Sequence, residues 1–427
     1  MTGSIFALSS GRPPAGIAVI RISGSQAKQA LEALAGRIPP PRTVSLALLT
    51  DPRDGSAIDR GLILWLPGPS TVTGEDMAEL HCHGGRAVIA AVEDALSHID
   101  GLRRAEAGEF TRRAFENGRM DLNAVEGLSD LLAAETQTQR RSALFMAEGH
   151  FSGKIAGWRT RLLQLSAMVE AALDFSDEDD VPADGIEADI AARMATLRNE
   201  VALALAAPSA ERLRDGIRLV LAGPPNAGKS TLLNALAGRE AAIVSNVAGT
   251  TRDRIEVPAA IGGIAFLLTD TAGLRSETND PVEAIGIGRA KAALDAADLI
   301  LWLGEAHDLP RADAILVAAQ ADRMRADRPG VPLSAVTGEG MDRLVALLLE
   351  RASMLVPGTQ DYALHDRQRR HIGRIAAHLD AAIGHYVNML LVAEELRLAR
   401  GVVDELTGLA GTEDMLDQLF SGFCIGK

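Results

Sequence analysis

Apolar residues recur along this chain with two different periods, and the changes between them mark out its segments. Near the start, Ile17-Ala18-Val19-Ile20-Arg21-Ile22 reads as a strand. Leu62-Ile63-Leu64-Trp65-Leu66 reads as another, stopped by Pro67-Gly68-Pro69. Residues 1–118 are therefore expected to be mixed α/β. From Asp121 to about Leu173 the period lengthens, with Leu122, Val125, Leu128 and Leu132 at the three- and four-residue spacings of a helix face. The acidic run Ser176-Asp177-Glu178-Asp179-Asp180, with Pro182, ends that pattern and reads as a solvated loop rather than a metal site. A further helix is expected from about Ala188 to Ala206.

Between about Arg214 and Pro357 short apolar runs alternate with helical stretches. The runs are Arg218-Leu219-Val220-Leu221, Ile264-Ala265-Phe266-Leu267-Leu268, Leu299-Ile300-Leu301-Trp302 and Ile315-Leu316-Val317. Such alternation predicts a parallel sheet wrapped by helices. Beyond Pro357 helical spacing returns, with Ile372, Ile375, Leu379, Ile383, Val387 and Leu390 marking one face. The economical architecture is an α/β domain, 213–357, inserted into an all-α domain whose parts, 119–212 and 358–427, pack together.

Composition narrows the class. The 427 residues exceed one ordinary core, and 47% hydrophobic content supplies several. Aromatics are only 3%, so aliphatic packing must dominate. The net charge of −14 argues against a protein coated in nucleic acid, while leaving room for local basic patches. Two cysteines, Cys82 and Cys424, suit a reducing compartment and give no disulfide framework. No apolar run approaches the roughly 20 residues that cross a bilayer. The last four residues, Cys424 to Lys427, fit neither common prenylation class. A soluble cytoplasmic protein with no membrane partner is expected.

The chemistry centres on Gly223-Pro224-Pro225-Asn226-Ala227-Gly228-Lys229-Ser230, which satisfies G-x-x-x-x-G-K-S after a strand and before the helical Thr231-Leu232-Leu233-Asn234-Ala235-Leu236. Glycines let backbone N–H groups approach phosphate oxygens, and the helix N-terminus adds partial positive charge. Lys229 is placed to reach the β and γ phosphates and Ser230 to hold Mg²⁺. Asp270-Thr271-Ala272-Gly273 ends an apolar strand, where Asp270 would hold Mg²⁺ through water and the Gly273 amide would sense the γ phosphate. Val247-Ala248-Gly249 with Thr250-Thr251 suits a switch loop, and Thr251 is a candidate to complete the Mg²⁺ shell.

The base reader is degenerate. The usual N-K-x-D appears as Ala319-Gln320-Ala321-Asp322. Asp322, which would accept from guanine N1 and N2, is kept, whereas the Asn and Lys that tie and cover the base are replaced. Ser334-Ala335 matches the second guanine loop. GTP is favoured over ATP, with weaker affinity than a full motif gives. Leu274 stands where many switch GTPases carry a water-orienting Gln, so another group must serve. Glu283 and Asp280 are candidates, or are solvated loop carboxylates.

Three further stretches are distinctive: Thr73-Gly74-Glu75-Asp76-Met77-Ala78-Glu79-Leu80-His81-Cys82-His83-Gly84-Gly85, Gly108-Glu109-Phe110-Thr111-Arg112-Arg113-Ala114-Phe115, and Phe423-Cys424-Ile425-Gly426-Lys427. With the phosphate loop, they make the whole chain resemble the tRNA modification GTPase MnmE (TrmE) family. The resemblance implies a folate-binding and dimerisation domain at 1–118, a helical domain at 119–212 and 358–427, and a G domain inserted at 213–357. It implies a homodimer and an MnmG-type flavoprotein partner, together forming a heterotetramer. It also implies aminomethyl-type modification of C5 of the wobble uridine of certain tRNAs. A 5-formyltetrahydrofolate or related folate would supply the carbon.

By the same resemblance, folate contacts fall on Arg21, Glu79, Arg119 (where the family usually has Lys) and Lys427. K⁺ would be held by the Asn226 side chain and by oxygens of the loop Ser245-Asn246-Val247-Ala248-Gly249-Thr250, with Ser245, Val247 and Thr250 as ligands. Glu283 would orient water, and Cys424 matches a cysteine with a role in modification. His81-Cys82-His83 looks like a metal cluster, but neighbours on a strand point to opposite faces, so a zinc site is not expected. The clusters Arg103-Arg104, Arg112-Arg113 and Arg367-Arg369-Arg370-Arg374 are candidates for tRNA phosphates or simply solvated faces. The rival reading is a regulatory GTPase switch in ribosome assembly, without modification chemistry. A folate pocket and a terminal thiol favour the first.

Overall fold

The computed structural model describes residues 3–174, 183–238, 256–271, 282–323, 328–358, 362–409 and 413–426. It divides into two compact units, residues 1–125 with 404–427, and residues 126–403.

The first unit contains β1 (Ser4–Leu8), β2 (Ala15–Ser23), α1 (Ala27–Ala35), β3 (Ser45–Thr50), β4 (Ala57–Leu66), β5 (Met77–Gly84), α2 (Arg86–Ser97), β6 (Leu102–Arg104) and α3 (Glu109–Glu116). Its strands form one six-stranded sheet in the order β3-β4-β5-β2-β1-β6, antiparallel except for the β1–β6 pair. Alternation sets the two faces. Ala18, Ile20 and Ile22 of β2 and Leu80 and Cys82 of β5 point into a core shared with Leu31, Leu34, Val92 and Leu96 of the helices. Val19, Arg21, Glu79 and His81 take the intervening positions, and the register pairs Arg21 with Glu79 and Val19 with His81. Helix α1 buries Ala27, Ala30, Leu31 and Leu34 and ends at Gly36, whose φ of 66° suits a residue without Cβ.

Two helices carry the chain across the unit boundaries, α4 (Leu122–Ala133) and, much later, α13 (Met389–Thr407). Between them lie α5 (Gln137–Ala147), α6 (His150–Asp174), α7 (Ala183–Leu205), α8 (Ala210–Asp215), β7 (Ile217–Ala222), α9 (Lys229–Ala237), β8 (Glu256–Ile261), β9 (Ile264–Asp270), α10 (Val282–Asp295), β10 (Leu299–Trp302), β11 (Ile315–Ala318), β12 (Val331–Pro332), α11 (Met341–Ser353) and α12 (Asp366–Gly384); α14 (Glu413–Ser421) lies near the C-terminus. The helical stretch expected from Asp121 to Leu173 is thus three helices. Thr136 caps α5 with a reciprocal Thr136–Gln139 capping box, which starts a new helix there, and Gly149 at φ 78° precedes α6.

The second sheet runs β12-β11-β10-β7-β9-β8, parallel throughout except for the β8–β9 hairpin. Its central strand β7 is apolar on both faces because both are covered. Leu219 and Leu221 join the core with α9 and α11, while Val220 and Ala222 pack with Ala297 and Ile300.

Helix α12 lies along α7, held by the Arg198–Asp380 pair (2.7 Å) and by Arg369 donating to the carbonyls of Leu205 and Ala207 (both 2.7 Å). Two apolar stripes are shorter than expected. Ile372, Ile375 and Leu379 are buried, but α12 ends at Gly384, where His385 N–H caps the Ala381 carbonyl. Val387 and Leu390 consequently sit in and after a turn, 78% and 69% exposed. Likewise Leu122 and Val125 are buried while Leu132, in the last turn of α4, is exposed. Residues 404–427 group with the N-terminal unit rather than with α12. Inside that unit Asn123 donates to the Leu406 carbonyl (3.2 Å), and Phe115 and Phe420 meet at 6.3 Å.

Candidate functional site

Parallel strands open their carboxyl ends to ligands, and in the second unit those ends carry the expected residues. The chain leaves β7 at Ala222 and turns at Gly223, whose φ is 149°. A Cβ there would lie 3.1–3.3 Å from Leu303, itself tied by its N–H to the Ala222 carbonyl (2.8 Å). Gly228, at φ 93°, is the N-cap of α9. Lys229 begins that helix with its side chain folded back over the loop. It is 4% exposed and donates to the carbonyls of Gly223 (3.0 Å) and Pro224 (2.7 Å). An ammonium is thereby fixed at the mouth of the loop beside the N-terminus of α9, the end of a helix that favours anions.

Asp270 ends β9 one strand away, buried, and accepts a hydrogen bond from the Ser230 hydroxyl. Hydroxyl and carboxylate oxygens side by side form the hard-oxygen donor set that suits Mg²⁺. Thr271 follows with its hydroxyl turned inward, donating to the Leu221 carbonyl (3.0 Å), so that side chain braces the sheet. A cavity of about 820 Å³ opens beside the loop, lined by Gly223, Pro225, Asn226, Lys229, Thr271 and Trp302 among others. Asn226 and Ala227 lie on the loop and Thr231 on the exposed side of α9. Ser245 to Thr251, Ala272, Gly273 and Asp280 fall outside the described residues, and Glu283 is the second residue of α10.

The candidate base-reading segment, residues 319–322, follows β11. Ala321 N–H donates to the Leu333 carbonyl (3.0 Å), and Leu333 N–H to the Ala318 carbonyl (3.1 Å). This stitches residues 319–322 to the loop of Ser334 and Ala335. Ser334 is fully buried, its hydroxyl accepting from Thr337 N–H (3.2 Å). Asp322 is only loosely paired, 3.6 Å from Arg323. Gln320 donates its side-chain amide to the Asn226 carbonyl (3.1 Å), a link to the phosphate loop that the degenerate motif did not disclose.

In the first unit, β2 and β5 bring Arg21 and Glu79 together at 3.0 Å, with His81 Nε2 at 3.1 Å from the second carboxylate oxygen. Burial pushes the Glu79 carboxyl up, but the His81 hydrogen bond and the Arg21 guanidinium outweigh it and hold the group below the usual carboxylate range. Glu79 is therefore an anion at neutral pH. Arg119 is exposed just beyond α3, its stem close to Gly74. Cys424 is an exposed free thiol, and the Ser9 hydroxyl donates to the Gly426 carbonyl (2.8 Å), bringing the C-terminal segment to the first strand's end. Lys427 lies outside the described residues. His81, Cys82 and His83 do not converge, and no group of metal-binding side chains occurs among the described residues. Cys82 is buried, its thiol pushed up to about 11 by burial.

The distinctive Gly108–Phe115 stretch also has a structural use. Arg113, 3% exposed, bonds Glu75 (3.0 Å), Glu109 (3.0 Å) and the Gly3 carbonyl (2.9 Å), and Ser23 donates to Glu75 (2.7 Å). Of the basic clusters, Arg112 pairs with Glu116 and Asp417, Arg103 with Glu109, and Arg367 with Glu126, so these act largely within the fold. Among the described residues no helix is long and apolar enough to cross a membrane.

Comparisons with known proteins agree along the full length. Residues 4–119 match the family model described as the GTP-binding protein TrmE N-terminus, and residues 122–424 match the MnmE helical domain. The chain is 58% identical to the tRNA modification GTPase MnmE of Rhizorhabdus wittichii over 99% of its own length and 96% of that protein. It is 56% identical to that of Sphingopyxis alaskensis, covering 96% and 100%. Among solved structures it is similar to the G domain of the T. maritima FeoB iron transporter (25% identity, 32% of this chain, 99% of that one, TM-score 0.24). With both family models matched in sequence order and more than half the residues shared with full-length relatives, this chain belongs to the tRNA modification GTPase MnmE family.

Proposed function

We propose that this chain hydrolyses GTP in the course of tRNA modification. In this reading it acts with an MnmG-type flavoprotein to place an aminomethyl-type group on C5 of the wobble uridine, using carbon from a 5-formyltetrahydrofolate-type donor. The observation that carries the reading is the phosphate end of the second sheet: Lys229 fixed over the loop, with Ser230 and Asp270 joined beside it. Fixed positive charge and backbone donors aimed where phosphate charge develops are what phosphoryl transfer requires. Ser230 and Asp270, with Thr251, would hold Mg²⁺, which when bound neutralises phosphate charge. Asn226, with Ser245, Val247 and Thr250, would hold K⁺. Glu283 would hold the attacking water, since Leu274 has no group to do so.

The half-buried row of Arg21, Glu79 and His81 supports the folate part. An ionised carboxylate flanked by a guanidinium is suited to the adjacent N–H donors of a pterin ring, and Arg119 and Lys427 would reach the glutamate end. The same open sheet surface supports a homodimer. Leu46 and Leu62, paired across β3 and β4, are 55% and 40% exposed, and Leu48 is 46% exposed. A second copy would cover this apolar patch.

The test is mass spectrometry of nucleosides from tRNA of a deletion strain, complemented with wild type, Lys229→Ala or Cys424→Ser. The wobble modification should vanish on deletion and return with wild type only. An unchanged nucleoside profile in the deletion strain, with altered ribosome assembly instead, would favour the regulatory reading.

A further inference from the structure

Among the described residues only three non-glycine residues have a positive φ: Arg42 at 58°, Asn226 at 59° and Gln320 at 61°. Left-handed backbone is costly for residues with a Cβ and persists where neighbours impose it. Two of the three are the two ends of one hydrogen bond. Gln320 Nε2 donates to the Asn226 carbonyl at 3.1 Å, and a Cβ on Gly228 would lie 3.8 Å from that same nitrogen. The amide group therefore sits across the phosphate loop, reaching from the segment that follows β11. That segment is anchored at its other side by the Ala321–Leu333 and Leu333–Ala318 bonds and turns through Arg323 N–H to the Gln320 carbonyl (2.9 Å).

The structure assigns Gln320 as the positioning residue that holds the base-reading loop in register with the phosphate loop. This assignment rests on the reading of the site as a GTP site. A nucleotide is gripped by Asp322 at its base and by Lys229 and the α9 N-terminus at its phosphates, so the distance between the two grips must match the ligand. Residue 319 is Ala and makes no side-chain polar tie, so the tie falls to Gln320. A glutamine amide is neutral and shorter than a lysine side chain, yet it supplies the one thing the Asn226 carbonyl needs, a donor. The bond also holds the backbone of Asn226, and with it the direction of the Asn226 side chain.

A residue that registers two grips contributes equally to every state of a ligand that spans both. Its loss should raise KM and leave the chemical step alone, the signature of uniform binding. Gln320→Leu keeps the bulk and removes the donor, while Gln320→Lys restores a donor. Affinities for fluorescent GDP and GTP analogues should weaken about two- to tenfold in Gln320→Leu, the range carried by one neutral hydrogen bond. KM should rise by the same factor while kcat stays within about twofold of wild type, and Gln320→Lys should recover the affinity. Asp322→Asn, measured alongside, tests the GTP reading itself through a shift towards xanthosine nucleotides. Wild-type affinity in Gln320→Leu, a loss that Lys does not recover, or a fall in kcat at constant KM would each overturn the assignment. No shift in base preference for Asp322→Asn would instead overturn the GTP reading beneath it.

Discussion

Replacing Lys229 by Ala separates what the lysine does for the fold from what it does for the reaction. In the structure Lys229 is 4% exposed, and its ammonium donates at 3.0 and 2.7 Å to the carbonyls of Gly223 and Pro224. Hydrogen bonds from a charged donor are worth about 1.5–3 kcal/mol each, but truncation also removes the cost of burying the charge. The two effects offset, and the net change in stability should stay within about 1–2 kcal/mol. The reaction has no such offset. Loss of a single preorganised donor at an oxyanion costs about 10²–10³-fold in rate, roughly 2.7–4 kcal/mol, and a full charge should cost at least that. Lys229→Arg keeps charge but presents a planar fork to carbonyls that accept from a point donor, so at least a tenfold loss, roughly 1.4 kcal/mol, is expected there too. The assay is steady-state GTP hydrolysis by purified wild type and both variants, with thermal melts of the same samples. A kcat for Lys229→Ala within threefold of wild type would refute the assignment of the phosphate site. A collapse of the melt with an equal fall in folded fraction would assign the lysine to the fold alone.

Three other outcomes are expected. Gln139→Ala removes four hydrogen bonds at once, two accepted from Glu135 and Thr136 N–H (2.8 Å each) and two donated to the Leu213 and Arg214 carbonyls (3.0 and 3.3 Å). The cost should be about 2–4 kcal/mol, lowering the first calorimetric transition by about 5–10 °C, and a shift under about 2 °C would contradict it. His365 lies 2.8 Å from Asp130 and 3.7 Å from Glu211; burial pushes its pKa down, but the Asp130 hydrogen bond and the surrounding carboxylates raise it above 6.5. Raised in the folded state, it stabilises fully below about pH 6.5 and loses that contribution as pH climbs through the folded value. Chemical denaturation should therefore find the advantage of wild type over His365→Gln larger at pH 6 than at pH 9, and an equal advantage at both would reject the pairing. Removal of Lys427 should weaken 5-formyltetrahydrofolate binding in calorimetry while GTP binding holds, and equal folate affinity would dismiss its role.

The parallel sheet was legible because a strand buried on both faces needs an unbroken apolar run, as at Leu219–Ala222, and here such runs alternate with helical stretches. In the antiparallel sheet only the two apolar runs Ile17–Ile22 and Leu62–Leu66 were legible, the second through its Pro67-Gly68-Pro69 stop. Strand β6 has three residues, and β1 is almost wholly buried, so neither shows a period. Helical spacing was read correctly in kind but too far in extent. Apolar residues at Val387 and Leu390 keep the rhythm of α12 after the backbone has turned, because periodicity records spacing and not hydrogen bonding. The breaks in the 121–173 stretch were marked by a Thr136–Gln139 capping pair and by Gly149, signals of one or two residues inside a long apolar pattern.

The site divides along the same line. Phosphate recognition depends on backbone shape, and backbone shape constrains residue type tightly. Gly223 and Gly228 stand where φ is 149° and 93°, and the motif is readable because other residues do not fit. Pairings across the sheet were not readable: the family resemblance names Arg21 and Glu79 singly, and they meet through strand register that no local pattern reveals. Least readable was any contact whose two ends are joined only by the fold. The Gln320 amide and the Asn226 carbonyl are 94 positions apart, and glutamine carries no signature of a tie. A degenerate motif compared letter by letter records two missing side chains at 319 and 320. In space one of the two supplies a donor to the phosphate loop, so the loss at the base reader is smaller than the letters suggest and is concentrated at Ala319.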